Sequence, residues 1–164
     1  MNRWRRALAV GVVITAIGAR GLDAGQGKTQ AELRKPFVGT WKLVSITGGA
    51  NLTNRGAKPT GVIMYDADGY MNVQIQPDRP RQAYSGTPTA EQALEAIRGY
   101  TAYFGTYTID ENAQTVTHHR EGKLDAGAVD YVRRFEMSAD GNRVTLIPVG
   151  GTGPETRLTW ERRR

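Results

Sequence analysis

The sequence predicts an all-β fold: an eight-stranded antiparallel up-and-down barrel with one short α-helix between strands 3 and 4. Three observations predict it. Apolar and polar residues alternate with a period of two in eight short runs. Most of the runs are joined by short turns, and the 20 glycines gather in pairs and turn clusters with no repeat, as many short strands require. An even number of sequentially paired strands can also close on itself, removing the edges that an open sheet must protect.

The elements follow in order. In the first strand, Trp41, Leu43 and Ser45 fall on one face and Lys42, Val44 and Ile46 on the other. Gly39 lets the chain bend into this strand without a Cβ clash. A Gly/Asn/Thr-rich loop (47–59) ends at Pro59. Strand 2 (Gly61–Tyr65) and strand 3 (Tyr70–Ile75) flank the turn Asp66-Ala67-Asp68-Gly69, in which Gly69 supplies a positive φ. That turn lacks the further acidic ligands of a calcium loop. The helix begins with Thr87 as N-cap and Pro88 in its first turn; Ala93, Leu94, Ala96 and Ile97 form its apolar stripe, and Gly99 ends it. It is expected to pack across a barrel opening. Strands Tyr103–Ile109, Thr115–Arg120, Tyr131–Met137, Arg143–Ile147 and Thr156–Arg162 complete the set.

Residues 1–24 read as a secretory signal peptide. Arg3, Arg5 and Arg6 form a basic head, Ala7–Ala19 an apolar middle, and Ala19, Gly21 and Ala24 a small-residue exit. The apolar span is shorter than the roughly 20 residues of a membrane-crossing helix. Residues 25–36 read as a polar tether, although Ala31-Glu32-Leu33 can form one helical turn before Pro36, and 37–164 as the barrel domain. The expected location is therefore exported, periplasmic or secreted, with no stable membrane insertion after cleavage. The leader's four Arg and one Asp supply half of the formal net charge of +6. No basic stripe with interleaved aromatics remains, so nucleic acid is not an expected partner. Cysteine is absent, so stability must come from a packed core.

Several stretches carry a family resemblance: Gly39-Thr40-Trp41-Lys42-Leu43-Val44-Ser45, Tyr65-Asp66-Ala67-Asp68-Gly69-Tyr70-Met71, Tyr103-Phe104-Gly105-Thr106-Tyr107, Thr117-His118-His119 and Arg133-Arg134-Phe135-Glu136. Together they resemble the lipocalin-like domain family, small calycin-type barrels that usually hold one apolar ligand. The opening Gly-x-Trp also resembles fatty-acid-binding proteins. The chain departs from those in lacking two helices after strand 1. It also has Arg157-Leu158-Thr159 where their carboxylate-binding Arg-x-Tyr would stand. The resemblance implies that Trp41 is a structural residue plugging one barrel end, with a basic residue (Arg133, Arg157 or Arg162) stacked on it.

Candidate site residues come from strand faces. Tyr131, Arg133, Phe135 and Met137 share a face, placing Arg133 inside, where a guanidinium needs an internal acceptor or a ligand carboxylate. His118 shares the inward face with Val116, and His119 points outward, so the two cannot ligate one metal. A structural His118, a general acid or base, and a haem ligand are the alternatives for it. Tyr103 and Tyr107 place two phenols on one inward face, and Tyr65, Tyr70 and Tyr100 add others. No nucleophile elbow, phosphate loop, zinc spacing or dinucleotide fingerprint appears. The expected function is binding of a small hydrophobic or amphipathic molecule by a monomer with no cofactor or metal, through Tyr103, Tyr107, His118, Arg133 and Phe135. One alternative is a small isomerase- or cyclase-type enzyme with His118 and a lumen tyrosine such as Tyr107 as catalytic residues. Another is a protein-interaction barrel with a filled core.

Overall fold

The computed structural model describes residues 27–49, 54–150 and 153–164; the signal-peptide reading falls outside these. The chain runs α1 (Gln30–Arg34), β1 (Gly39–Thr47), β2 (Thr60–Tyr65), β3 (Tyr70–Gln76), α2 (Ala90–Ile97), β4 (Thr101–Asp110), β5 (Thr115–Lys123), β6 (Asp130–Met137), β7 (Arg143–Pro148) and β8 (Arg157–Arg162). Each strand pairs antiparallel with the next, and β8 returns to β1, closing the barrel. The eight-stranded up-and-down barrel with a helix between strands 3 and 4 is thus the fold, and no strand keeps a free edge.

Alternation holds along most strands. On β4, Tyr103, Gly105, Tyr107 and Ile109 are buried while Phe104 and Thr108 are exposed; on β5, Val116, His118 and Arg120 are buried. Two bulges interrupt it. In β1 the pairing with β8 shifts between Leu43 and Ser45. The extra residue advances the pleat by one, so Ile46, expected outside, lines the interior. The second bulge lies opposite the Phe104–Gly105 step. There a Cβ on Gly105 would stand 1.9 Å from the carbonyl oxygen of His119, so the close approach of β4 and β5 requires glycine. Gly39, at φ +132°, makes the expected bend into β1.

The helices depart from expectation. The N-cap of α2 is Thr89, two residues later than Thr87, and Thr89 forms a reciprocal capping box with Gln92. None of the residues of α2 is buried, and Leu94 and Ile97 are about half exposed. It does not pack across an opening. Arg79 anchors it by pairing with Glu95 and donating to the carbonyls of Glu95 and Arg98. The segment read as a tether contains α1, which does cover a barrel end. Gln30 exchanges two hydrogen bonds with the backbone of Ile109 (2.8 and 3.0 Å), and Arg34 donates to the carbonyls of Asp68 and Tyr107.

Such a short helix is not stable alone and depends on its cap and its docking. The cap is a full box: Thr29 accepts from the Glu32 backbone, and the Glu32 carboxylate accepts from the Thr29 backbone. Thr29→Ala is expected to lower stability by about 1 kcal/mol. A urea midpoint identical to the parent protein's would show that docking alone holds α1.

The core fills this covered end. Phe37, Tyr65, Tyr107 and Trp41 are buried there, with Leu33, Phe135 and Met137 packed against the core cluster. Phe37 sets its ring edge-to-face on Tyr65 and on Phe135, with centroids 5.7 and 5.0 Å apart. Among the described residues no helix is long and apolar enough to cross a membrane.

Candidate functional site

At the end opposite α1, the barrel opens into a cavity of about 950 Å³. The loops β1–β2, β3–β4, β5–β6 and β7–β8 form its mouth, contributed by Gly48, Arg55, Tyr100, Asp125 and Glu155 among others. Its walls differ in chemistry. β1, β2, β3, β7 and β8 present Ile46, Ile63, Val73, Leu146, Leu158 and Trp160. The facing strands β4, β5 and β6 present Tyr103, His118, Arg120, Tyr131 and Arg133. An apolar wall thus faces a phenolic and cationic one.

His118 lies at the centre of the polar wall, fully buried. Tyr65 Oη is 2.8 Å from its Nε2 and Tyr103 Oη is 2.9 Å from its Nδ1. A neutral imidazole has one donor and one acceptor nitrogen, so it gives a hydrogen bond to one phenol and takes one from the other. Burial, and then the nearby Arg133, push its pKa well below the usual histidine value. Burial likewise pushes the Tyr65 phenol far up. The imidazole is therefore held neutral, with both ring nitrogens engaged.

Arg133 continues the chain by donating from Nη2 to Tyr103 Oη at 3.1 Å. Tyr131 lies between two guanidiniums, its ring centroid 4.4 Å from Arg120 and 4.6 Å from Arg133. Arg120 is satisfied by Asp125 (2.9 Å) and by the carbonyl of Ala128. Arg55 donates to Thr101 at 2.8 Å. Among the described residues no group of three or more His, Asp or Glu side chains could hold a metal.

The model of a family described as a lipocalin-like domain matches residues 38–163, nearly the whole barrel. The chain belongs to the lipocalin-like domain family. Among curated proteins, none matches this lipocalin-like chain. A solved structure of a redesigned β-barrel is similar to it at 13% identity, over 82% of this chain and 96% of the other, with a TM-score of 0.45.

The lipocalin-like barrel brings Tyr103, His118 and Arg133 together at the cavity, but not the other two candidates. Tyr107 faces inward and sits below it, toward the covered end, where its hydroxyl donates to the carbonyl of Asp66 at 2.7 Å. Arg34 lies 5.3 Å over its ring, and burial pushes its pKa up to about 12. It is thus not the phenol that partners His118. Phe135 also lies at the covered end, against Phe37, beside a smaller pocket of about 380 Å³ under α1.

Trp41 is fully buried, and its indole N–H donates to the carbonyl of Phe37 at 2.7 Å. Of the three basic candidates it is Arg162 that stacks on it, 4.1 Å from the ring centroid. Arg157 is outside, paired with Glu155 and Glu136.

Three residues of the lipocalin-like site were missed from the sequence. Arg120 was legible, since it continues the Val116–His118 alternation. Tyr65 ends its strand on the face of Ile63 and was counted only as one phenol among several. Arg55 comes from an irregular loop, where no pattern marks an inward side chain.

Proposed function

We propose that this protein is an exported carrier that binds one small, mostly apolar molecule in the barrel cavity. The observation that carries the reading is the cavity itself. At about 950 Å³, it has the size of sites that enclose a small organic ligand, with an apolar wall and a few convergent polar groups. The open interior weighs against a filled-core interaction module. Packing of α1, Phe37 and Trp41 at the other end leaves one mouth for entry. Export rests on the basic head and apolar middle of residues 1–24.

Native mass spectrometry of the full chain produced in a bacterial host tests both halves. The expected species begins after Gly21 or Ala24 and carries one small-molecule adduct. A polypeptide of full-length mass sinks the export reading. A protein that arrives without an adduct and also fails to bind the neutral probe N-phenyl-1-naphthylamine sinks the carrier reading.

A further inference from the structure

Among the described residues, four buried side-chain nitrogen or oxygen atoms have no hydrogen-bond partner, and three of them belong to residues lining this one cavity: Arg55 Nη1, Arg133 Nε and Trp160 Nε1. All three are N–H donors, and no acceptor is among the buried side-chain atoms left without a partner. A ligand that reaches these side chains meets donors and must bring acceptors.

The charges narrow its chemistry further. Arg133 is only 8% exposed, and its one side-chain hydrogen-bond partner is the Tyr103 hydroxyl, not a carboxylate. A buried guanidinium without a counter-charge is costly, and two near each other are costlier still. The two carboxylates at the mouth are committed elsewhere: Asp125 to Arg120, and Glu155 to Arg134 and Arg157. Arg55 feels Arg133 directly, since burial first and then the Arg133 charge lower its pKa. The polar wall is thus a cationic site whose own anions are spent.

We infer that the molecule bound in the cavity is an organic acid, its anionic oxygens seated on Arg133 and Arg55 and its apolar body against Ile63, Val73, Leu146 and Trp160. This rests on the carrier reading and adds the ligand's charge to it. Carboxylate, sulfonate and phosphate oxygens all meet the requirement, because each accepts several hydrogen bonds in one plane or cluster.

Two fluorescent probes of one scaffold test it: 1-anilinonaphthalene-8-sulfonate, which carries an anion, and N-phenyl-1-naphthylamine, which lacks it. Both are titrated into the parent protein and into the Arg133→Gln, Arg55→Gln and Arg143→Gln variants. Arg133→Gln is expected to weaken the anionic probe about tenfold or more and to leave the neutral one within about twofold. Arg55→Gln should act in the same direction, and Arg143→Gln, on the exposed start of β7, should change neither.

Retained binding of the neutral probe also reports that each variant is folded. If Arg133→Gln does not fold, Arg55→Gln at the rim decides on the same readout. Loss of both probes in an Arg133→Gln variant whose circular dichroism and urea midpoint match the parent's, or of neither, overturns the inference. A parent protein that binds only the neutral probe overturns the inference and leaves the carrier reading standing. One that binds neither overturns both.

Discussion

Replacing Trp41 with alanine is expected to lower the stability of the protein by about 3–5 kcal/mol, read as a shift in the urea unfolding midpoint. Three losses coincide at this residue. A fully buried indole is removed from the packed end of the barrel. The Phe37 carbonyl loses the donor that now reaches it at 2.7 Å. Arg162 loses the ring it lies 4.1 Å above, though it keeps the carbonyls of Pro36 and Val38. Trp41→Phe separates these contributions, because it keeps an aromatic body and removes the N–H; about 1–3 kcal/mol is expected for it. A Trp41→Ala loss below about 1 kcal/mol would show that this end of the barrel is not closed by the tryptophan.

Mild acid should destabilise the protein through His118. The folded imidazole is held neutral by burial and by the Arg133 charge, with its pKa well below the ordinary value. The unfolded chain takes up a proton at this residue below about pH 6.5 and the folded chain does not, so the unfolded state binds more protons. Stability is therefore fully present above that pH and falls below it, by about 1.4 kcal/mol per pH unit until the folded pKa is reached. Carboxylates with lowered pKa values, Asp125 and Asp140, lose their contributions only in stronger acid, so the range from pH 6.5 to 5 reports on the histidine. His118→Gln, whose amide can still offer one donor and one acceptor to Tyr65 and Tyr103, should flatten the slope there. An unchanged slope in that variant would assign the acid sensitivity to another group.

How much of this was legible in the sequence depends on the kind of information. A period of two reports which face a side chain takes, and it put His118, Tyr103 and Arg133 inside. It does not report height along the barrel, because height follows from strand tilt and from pairings between distant segments. Tyr107 and Phe135 thus face inward as expected but stand at the covered end, away from the cavity of Tyr103, His118 and Arg133. The bulge between Leu43 and Ser45 is also invisible to alternation, and it exchanged Ser45 for Ile46 in the interior. The helix α1 was readable from Thr29-x-x-Glu32, a capping signal, but its five residues are too few for a periodic apolar stripe. The hydrogen-bonded array Tyr65–His118–Tyr103–Arg133 draws on four strands, so no local pattern could assemble it.

The pairing of β8 with β1 has a consequence for how the molecule comes into being. The residue opposite Trp41 is Arg162, so the segment that completes the ring is the last of the eight strands to be made. Until it arrives, β1 and β7 each lack a neighbour, the tryptophan lacks its cationic lid, and the cylinder is a curled ribbon with two raw margins. A chain ending before Arg157 would lose more than one strand's share of contacts, since it would never become a vessel at all. Closure is thus withheld until all eight strands have been made, and the same closing stroke that finishes the wall also creates the room inside it.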